Sequence, residues 1–281
     1  MNIYSYQTFT SKHTKTFYYS TLLFPKKYRA KVFLLYSFLR IIDDLVDKET
    51  PDKKNFYLLR KELENSLILK NTSKIKLIND IVKLIKENDL SKEMMDYLKI
   101  QEKEIAKKIY KTNKEFTEFL YGVAGTVGIM MSKILNLPPK TFVNAKRLGE
   151  ALQIINTVRD IKEDYRIGRI YIPEELLNKY GLTQKNFLKQ EKQEKFFILV
   201  KDLLNKAFKL IKEAKKSFVY FKKEILFPIK TASDLYLLVG KSIYIKPELI
   251  FNKKKLKPNF IKISQLIISN FFFIYVFNKK G

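Results

Sequence analysis

Apolar residues recur along most of this chain at the spacing of an amphipathic helix. The clearest stripe lies within residues 28–45 and consists of Val32, Leu35, Tyr36, Leu39 and Ile42. Residues three and four positions apart share one face of a helix, so this stripe predicts a helix with one buried face. Pro25 fits just inside the start of that helix.

The same periodicity predicts eight further helices. They cover residues 55–70, 75–87, 92–110, 116–135, 142–165, 173–180, 193–221 and 231–245. Pro138 and Pro139 break the pattern, Thr141 is placed to cap the next helix, and Pro228 precedes the last one. Alternating strand patterns and internal repeats are nearly absent. The pattern therefore predicts an all-α protein with a single domain over residues 1–281.

Composition narrows the chemistry that this helical chain can perform. Among 281 residues, 46% are hydrophobic, there is no cysteine, and His13 is the single histidine. Disulfides, thiolate nucleophiles, zinc–thiolate sites and iron–sulfur clusters are excluded, and a Ser-His-Asp relay is not expected. Any bound metal must therefore use oxygen ligands, as magnesium does.

The formal net charge of +26 suggests an anionic partner, which is a nucleic acid, a membrane surface or a phosphorylated substrate. Much of that charge comes from scattered lysines and is consistent with a compositional bias, whereas arginine occurs at only seven positions. The first nine residues do not resemble a signal peptide, and no segment approaches the ~20 apolar residues of a transmembrane helix. These features predict a cytoplasmic protein.

Two acidic patches interrupt the apolar helices. Asp43 and Asp47 lie four residues apart, and Asp160 and Asp164 repeat that spacing. Residues four apart project from the same face of a helix. Two such pairs facing each other would need cations between them, and magnesium bridging carboxylates and a phosphate would meet that need. Solvated acidic helix faces are the alternative.

Further polar residues accompany each acidic pair. Arg40 precedes the first pair and Arg159 precedes the second, although arginine is scarce in this chain. Asn156 and Gln153 lie one and two turns before Asp160 and place amide groups on the same face. Carboxylates, amides and arginines on apolar helices indicate a polar interior, and buried polar groups require partners.

A third segment is rich in small residues. Gly122, Gly125 and Gly128 recur every three residues and, with Ala124, leave one face of a helix nearly bare. Such a face either packs closely against another helix or makes room for a long, slender ligand.

Together these segments resemble the squalene/phytoene synthase family, the enzymes that condense prenyl diphosphates head to head. The resemblance covers roughly residues 14–182, whereas residues 52–100 and 183–281 match weakly. Four motifs carry it in order. They are the HTKTF sequence at 13–17, the first Asp-rich helix at 33–47, the YGVAGTVG sequence at 121–128, and residues 153–173, which include the second Asp pair and the GRIYIP turn.

The resemblance implies the all-helical class I isoprenoid synthase fold, with the two Asp-rich helices on opposite walls of a central cavity. It implies magnesium, or manganese in its place, held by Asp43, Asp47, Asn156, Asp160 and Asp164. It assigns catalysis to Asp43, Asp47, Asp160, Asp164, Arg40 and Arg159. It assigns substrate binding to Thr14, Thr16, Phe17, Tyr36, Tyr121, Val123, Ala124, Val127, Gly128, Gln153, Asn156 and Tyr236.

The sequence departs from the family pattern at three positions. Thr14 and Thr16 stand where the family more often has serine, which keeps the hydroxyl and adds a methyl group. Phe119 stands where a tyrosine is usual, and this change removes a phenol that could bind diphosphate or assist proton transfer.

The implied reaction joins two prenyl diphosphates through a cyclopropyl diphosphate. The motifs look more like those of phytoene and dehydrosqualene synthases, so phytoene formation from geranylgeranyl diphosphate without NADPH is expected. Dehydrosqualene, squalene or presqualene diphosphate formed from farnesyl diphosphate is the alternative. Two other classes stay open, a non-catalytic assembly factor of the same fold and a helical nucleic-acid-binding protein. No nucleic-acid-binding motif is present, so a nucleic-acid partner is not expected. A monomer or weak homodimer is expected.

The C-terminal end carries a dense apolar block. Residues 271–277 are almost entirely aromatic or aliphatic, and lysines lie before and after them. Aromatic groups beside lysines suit contact with an anionic membrane. Residues 261–281 are therefore predicted to hold the protein on the inner face of the membrane, with packing on the core as the alternative.

Overall fold

In the part of the chain that the computed structural model describes, residues 3–13, 15–69, 72–106, 109–252 and 256–277, the backbone is almost entirely helical. The helices are α1 (Ile3–His13), α2 (Lys15–Leu22), α3 (Lys26–Val46), α4 (Lys53–Ile68), α5 (Lys76–Asn88), α6 (Ser91–Ala106), α7 (Asn113–Leu120), α8 (Thr126–Ile134), α9 (Phe142–Arg166), α10 (Glu174–Lys179), α11 (Gln193–Lys215), α12 (Lys223–Ile245) and α13 (Phe260–Phe271). These residues contain no β-strand, only one isolated bridge between Ile109 and Ile170. The predicted all-α class is confirmed.

Shorter helical turns join or extend these helices. There are 3₁₀ turns at Pro139–Thr141, Gln190–Lys192, Lys216–Tyr220 and Pro247–Phe251, and π-helical turns at Tyr121–Gly125 and Phe272–Phe277. The prediction of one continuous helix over residues 193–221 was therefore wrong at its end, because the backbone tightens into a 3₁₀ turn after Lys215.

The predicted helix over residues 116–135 is also divided. It begins earlier, at Asn113, because Thr112 and Glu115 form a reciprocal capping box that satisfies the first free N–H groups. It then widens into the π-helical turn at Tyr121–Gly125 before α8 continues. Helices α1 and α2 lie outside the predicted set, since residues 3–22 show no strong apolar stripe.

Two predictions about where helices begin, at Thr141 and at Pro228, were wrong. Thr141 precedes α9, but its hydroxyl donates to the Pro138 carbonyl oxygen at 2.7 Å and does not cap the helix. Pro228 lies inside α12 rather than before it, because the preceding residues Ile225, Leu226 and Phe227 are buried and start the helix earlier. Pro25 lies one residue outside the start of α3, at its N-cap.

Two large hydrophobic clusters fill the interior. One joins α3, α4, α5, α6 and α8, and the other joins α7, α9, α10, α11 and α12 with the loops between them. Helix α3 buries the predicted residues Val32, Leu35, Leu39 and Ile42, and Tyr36 from the same stripe faces the cavity between the two clusters. The amphipathic pattern thus identified the faces that meet at the centre of the fold.

Helices α8 and α9 approach each other backbone to backbone. A Cβ atom at Gly128 would overlap the carbonyl oxygen of Ala145, and one at Gly149 would overlap that of Ala124. Gly122 likewise leaves no room between its backbone and Ile100 on α6. Of the two interpretations of the glycine-rich segment, close helix packing therefore accounts for these positions.

No helix in the described ranges is both long enough and apolar enough to cross a bilayer.

Candidate active site

An elongated cavity of about 300 Å³ runs between the two hydrophobic clusters. Its polar lining includes Tyr36, Arg40, Asp43, Tyr97, Gln153, Asn156 and Tyr236, and smaller polar side chains line it at Ser20, Thr21, Ser132, Asn144, Ser217 and Ser233. Its apolar lining includes Phe24, Met131, Leu135, Leu137, Phe218, Phe221 and Ile229. Phe24 lies just before α3, and Asp43 lies near the end of that helix. Because a helix of 21 residues is about 30 Å long, Phe24 and Asp43 lie at opposite ends of the cavity.

Asp43 is the acidic residue that lines this cavity. Its Oδ1 accepts from the Gln101 amide at 2.5 Å and lies 2.7 Å from the Tyr97 hydroxyl. The Tyr97 hydroxyl is also 2.9 Å from the Leu39 carbonyl oxygen. Burial, together with the charge of nearby Asp47, raises the pKa of the Asp43 carboxyl to about 7. This carboxyl is therefore poised to gain from a cation placed beside it.

Asp47 lies one turn further along, at the C-cap of α3 and about 6 Å beyond Asp43 along the axis. Its carboxylate accepts from Arg169 Nη1 at 2.9 Å. Arg169 is 5% exposed and also donates to the Val46 carbonyl oxygen and to the Tyr171 hydroxyl. The GRIYIP turn thus fixes the end of the first Asp-rich helix from 122 residues away.

The second Asp pair is held in a different way. Both oxygens of Asp160 accept from Arg159, from Nε and Nη2, each at 2.7 Å. Asp160 lies one turn beyond Asn156, which lines the cavity. Asp164 lies a further turn on, beside a small recess that Arg169 and Tyr171 also line. Neither carboxylate lines the main cavity itself.

The amide and phenol groups at the polar end lie where the sequence places them. Asn156 donates to Gln153 Oε1 at 3.3 Å, and its own Oδ1 is buried without a hydrogen-bond partner. Tyr36 on α3 and Tyr236 on α12 line the same end. Burial raises the pKa of the Tyr36 phenol above its usual value, so that phenol stays protonated. The weakly matched Tyr236 is thus brought to the site.

Arg40 lines the cavity from α3. Its Nη2 binds Asp44 at 2.6 Å, while its Nε is buried without a partner. The guanidinium therefore keeps unused hydrogen-bonding capacity at the wall of the cavity. Because a guanidinium binds phosphate oxygens with two parallel hydrogen bonds, this unsatisfied donor is suited to an anionic ligand.

The small-residue segment also contributes to the cavity. Val123, Ala124, Val127 and Gly128 all line it, as the resemblance implies. Gly128 therefore serves both the close packing of α8 on α9 and the open wall of the cavity.

Tyr121 does not line this cavity, in contrast to its predicted role. Its hydroxyl donates to Asp96 Oδ2 on α6 at 2.6 Å, which holds the side chain in that contact. Phe119 is 4% exposed and stacks on Tyr171 at 4.7 Å, in an aromatic cluster with Tyr110.

The structure does not describe the side chains of the three N-terminal substrate-binding candidates. Thr14 lies outside the described residues, and so do the side chains of Thr16 and Phe17.

The acidic residues do not gather into one cluster. In residues 3–13, 15–69, 72–106, 109–252 and 256–277, no three acidic or histidine side chains lie close enough together to hold one ion. Of the four carboxylates, Asp43 lines the main cavity, and Asp47, Asp160 and Asp164 do not. Asp160 forms a salt bridge with Arg159, and Asp47 forms one with Arg169.

Sequence reasoning missed the residues that hold the first Asp pair. Tyr97 and Gln101 project from α6, whose sequence matches the family motifs weakly. A buried glutamine on an apolar helix face was the available signal, because such an amide needs a partner. Arg169 was part of a quoted motif but had no assigned role. Because the chain has only seven arginines, the presence of one in this motif was the available signal.

Comparison with known proteins gives consistent results. A family model described as squalene/phytoene synthase matches residues 10–261. A bifunctional lycopene cyclase/phytoene synthase of Pyrenophora tritici-repentis is 30% identical over 257 residues, which are 82% of this chain and 44% of that protein. A 15-cis-phytoene synthase of Synechococcus elongatus is 24% identical over 278 residues, covering 92% of this chain and 89% of that protein.

Among solved structures, a dehydrosqualene synthase in complex with a ligand superposes with a TM-score of 0.86 at 25% identity. The superposition covers 95% of this chain and 94% of that one. Architecture and sequence therefore point to the same group of proteins.

Proposed function

Because the chain belongs to the squalene/phytoene synthase family, the prenyltransferases that condense two prenyl diphosphates head to head, we propose that it converts two molecules of geranylgeranyl diphosphate into phytoene without NADPH. The observation that carries this proposal is one cavity with charged groups at Asp43 and Arg40 and a remainder that is mainly apolar, with a few hydroxyl and amide side chains. A prenyl diphosphate has the same two parts, a charged head and an apolar chain.

The polar end supplies groups that bind and activate a diphosphate. Arg40 offers the unpartnered Nε donor, and the amides of Gln153 and Asn156 lie on the opposite wall. Ionisation of an allylic diphosphate moves negative charge onto the leaving group. Fixed donors aimed at that charge lower the barrier more than they stabilise the substrate. Arg159 adds a second cation beside this end through its contact with Asp160.

The donor set at this end fits a magnesium ion, with manganese as a substitute. Asn156 has a buried Oδ1 without a partner, and burial beside Asp47 raises the pKa of the Asp43 carboxyl, as expected for oxygen ligands that lack their cation. The resemblance gives Asp43, Asp47, Asn156, Asp160 and Asp164 as the residues that would hold magnesium, and of these Asp43 and Asn156 line the cavity. When bound, it supplies positive charge to the diphosphate leaving group.

The apolar remainder protects the carbocation from water. In this family's reaction the first diphosphate leaves, a double bond of the second molecule attacks the resulting cation, and loss of a proton closes the ring of a cyclopropyl diphosphate. A second ionisation rearranges the skeleton, and loss of a proton ends the reaction. Val123, Val127, Leu148 and Leu152 line the middle of the cavity and offer no nucleophile. Exclusion of water from such a wall prevents premature quenching.

A second candidate keeps the same chemistry with a shorter substrate. The structural similarity to a dehydrosqualene synthase, at a TM-score of 0.86, favours farnesyl diphosphate as the alternative substrate. Dehydrosqualene, squalene or presqualene diphosphate would then be the product. A non-catalytic assembly factor of the same fold is disfavoured, because such a scaffold has no need for the unsatisfied polar groups of Arg40 and Asn156.

Incubation with magnesium and either diphosphate tests the proposal directly. Purified protein is given geranylgeranyl or farnesyl diphosphate in separate reactions, and the hydrocarbon is identified by mass. A C40 phytoene formed without NADPH is expected. A C30 product alone, or strict dependence on NADPH, would assign the farnesyl alternative. No product from either substrate would overturn the enzymatic assignment.

A further inference from the structure

The turn between α11 and α12 presents apolar side chains to solvent. Its sequence, residues 215–223, reads KKSFVYFKK, with a lysine pair on each side of an aromatic centre. Val219 is 79% exposed and Tyr220 is 48% exposed, although both are large apolar or aromatic groups. Phe218 and Phe221 point inward from the same turn and line the cavity. The turn therefore has an outer apolar tip and an inner apolar base.

The C-terminal segment has the same two-sided character. Phe271, Phe272 and Phe273 are each about half exposed, whereas Ile274 is fully buried. Ile274 and Ile267 belong to a hydrophobic cluster that also contains Phe218 and Phe221. The turn and the C-terminal segment are thus joined through one buried cluster, and each leaves aromatic groups outside it.

This cluster forms the wall at the apolar end of the cavity. The rings of Phe218 and Phe221 contact the cavity on one side and the cluster of Ile274 on the other. Phe24 and Leu137 complete that end. The apolar end of the cavity therefore lies directly beneath the two exposed aromatic stretches.

A buried polar network holds the C-terminal segment in this position. Asn270 is 4% exposed, accepts from Lys230 at 2.6 Å and donates to Asp234 at 3.2 Å. Lys215 binds the other oxygen of Asp234 at 2.8 Å. Helices α11, α12 and α13 are thereby connected at one point, so the exposed aromatic groups have a fixed placement.

The charges around these aromatic groups are mainly positive. Lys140 lies 3.6 Å from the centre of the Tyr220 ring, and Lys222 and Lys223 follow the turn. The acidic groups nearby are Asp234, which binds Lys215 and Lys230, Glu213, bound to Lys216 at 2.7 Å, and Glu224, which helps raise the pKa of the Tyr275 phenol after the larger effect of burial. After Glu248 the sequence has no acidic residue and seven lysines, which are Lys253, Lys254, Lys255, Lys257, Lys262, Lys279 and Lys280.

An apolar tip surrounded by lysines matches an anionic lipid surface. Aromatic and aliphatic groups enter the interfacial region, and lysines beside them meet the negative headgroups. A second copy of this chain is a poorer match, because a two-fold contact would bring the same lysines together.

We propose that the turn at residues 215–223 and the segment at 260–277 form one surface that binds an anionic bilayer directly over the apolar end of the cavity. Where the chain makes a hydrocarbon, which rests on the proposed function, that product leaves into the lipid at this end between the turn and the C-terminal segment.

Flotation with vesicles tests the lipid surface independently of catalysis. The full chain is mixed with vesicles of phosphatidylcholine alone or with phosphatidylglycerol added, and the bound fraction is measured at low and high salt. Binding only to the anionic vesicles, weakened by salt, is expected. V219D/Y220D and F272D/F273D should each lower the partition coefficient at least tenfold.

A matched control uses exposed apolar residues elsewhere on the surface. I68D/L69D replaces two residues at the end of α4 that are 76% and 59% exposed. Helix α4 packs in the cluster that joins α3, α4, α5, α6 and α8, away from the proposed lipid surface. This variant should float like the unmodified chain. Equal losses in control and test variants, or no binding by the unmodified chain, would overturn the lipid surface. Concentration-dependent dimers that V219D/Y220D abolishes would overturn it in favour of self-association.

The exit route has its own readout. With active protein, anionic vesicles should accelerate release of hydrocarbon by the unmodified chain and have at least tenfold less effect on V219D/Y220D. If vesicles bind the chain but do not change release, the exit route is wrong while the lipid surface stands. If no hydrocarbon forms, the proposed function fails and flotation still decides the lipid surface.

Discussion

The two Asp pairs share one spacing in the sequence, but the fold surrounds them differently. Asp43 is held by Tyr97 and Gln101, which lie 54 and 58 residues away on another helix. Asp160 is held by Arg159, its immediate neighbour. Asp43 therefore depends on tertiary packing, and Asp160 is neutralised by its neighbour in the sequence.

This difference changes the electrostatic state of the two pairs. Burial leaves Asp43 without a cationic partner at its oxygens, and its pKa is raised. Asp160 has a bidentate guanidinium, the strongest form of side-chain pairing for a carboxylate. Equal spacing along a helix thus identifies carboxylates that share a helix face, and contacts from other residues decide which of them is directly bonded to a cation.

The largest expected effect comes from removing one carboxylate from each pair. Both D43N and D160N should lower kcat by on the order of 10²–10³, because each removes a carboxylate that would hold the magnesium facing the diphosphate leaving group. Steady-state turnover with magnesium measures this loss. Full turnover in either variant would contradict the placement of the site at this end of the cavity.

Stability should separate these two variants in opposite directions. In chelator at pH 8, D43N should unfold at the same or a higher temperature, since Asn keeps the oxygen that faces Gln101 and removes a charge that burial opposes. The folded-state pKa of Asp43 is raised to about 7, so its unfavourable contribution to stability grows as pH rises from about 4 to about 7 and is constant above that. The gain from D43N should accordingly shrink at pH 5.

D160N provides the contrast in the same measurement. It leaves the largely buried Arg159 without its carboxylate, and stability should fall by about 1–3 kcal/mol. If both variants shift the unfolding temperature alike, the two pairs are not held differently and the comparison fails.

The helical class, most helix positions and the two acidic helices could be predicted from the sequence. Amphipathic periodicity is local and strong in α3, whose predicted stripe is buried or lines the cavity. The π-helical turn at Tyr121–Gly125 and the course of α12 through Pro228 could not be predicted. Both depend on packing against distant residues, which local propensity does not include.

The site was predictable where it follows from helix faces and not where it follows from contacts between helices. Asn156 and Gln153 share a face with Asp160, and that face meets the cavity. Tyr121 does not line the cavity, and its phenol donates to Asp96 on α6. The residues that hold the first pair lie on α6 and in the turn after α9. The spacing of residues in the sequence does not predict where these two elements pack.

An intermediate effect is expected for Arg169, the anchor of Asp47. R169M removes a guanidinium that is 5% exposed and donates to Asp47, to Tyr171 and to the backbone of Val46, so stability should fall by about 2 kcal/mol. R166M, at an exposed position three residues earlier, is the matched control and should change little. Chemical unfolding compares the two variants, and equal midpoints would contradict an anchoring role.

The smallest effect sharpens the comparison to a single hydroxyl. Y97F removes the phenol oxygen that lies between Asp43 and the Leu39 carbonyl oxygen, and Y121F removes the one bound to Asp96. Each should cost about 1 kcal/mol of stability, because each loses a hydrogen bond to a carboxylate. Y97F should also lower kcat several-fold, since Asp43 becomes less well positioned at the cavity. Y121F should leave kcat unchanged, because Tyr121 does not line the cavity. A lower kcat in Y121F with none in Y97F would restore the role that the sequence gave to Tyr121 and remove the one inferred for Tyr97.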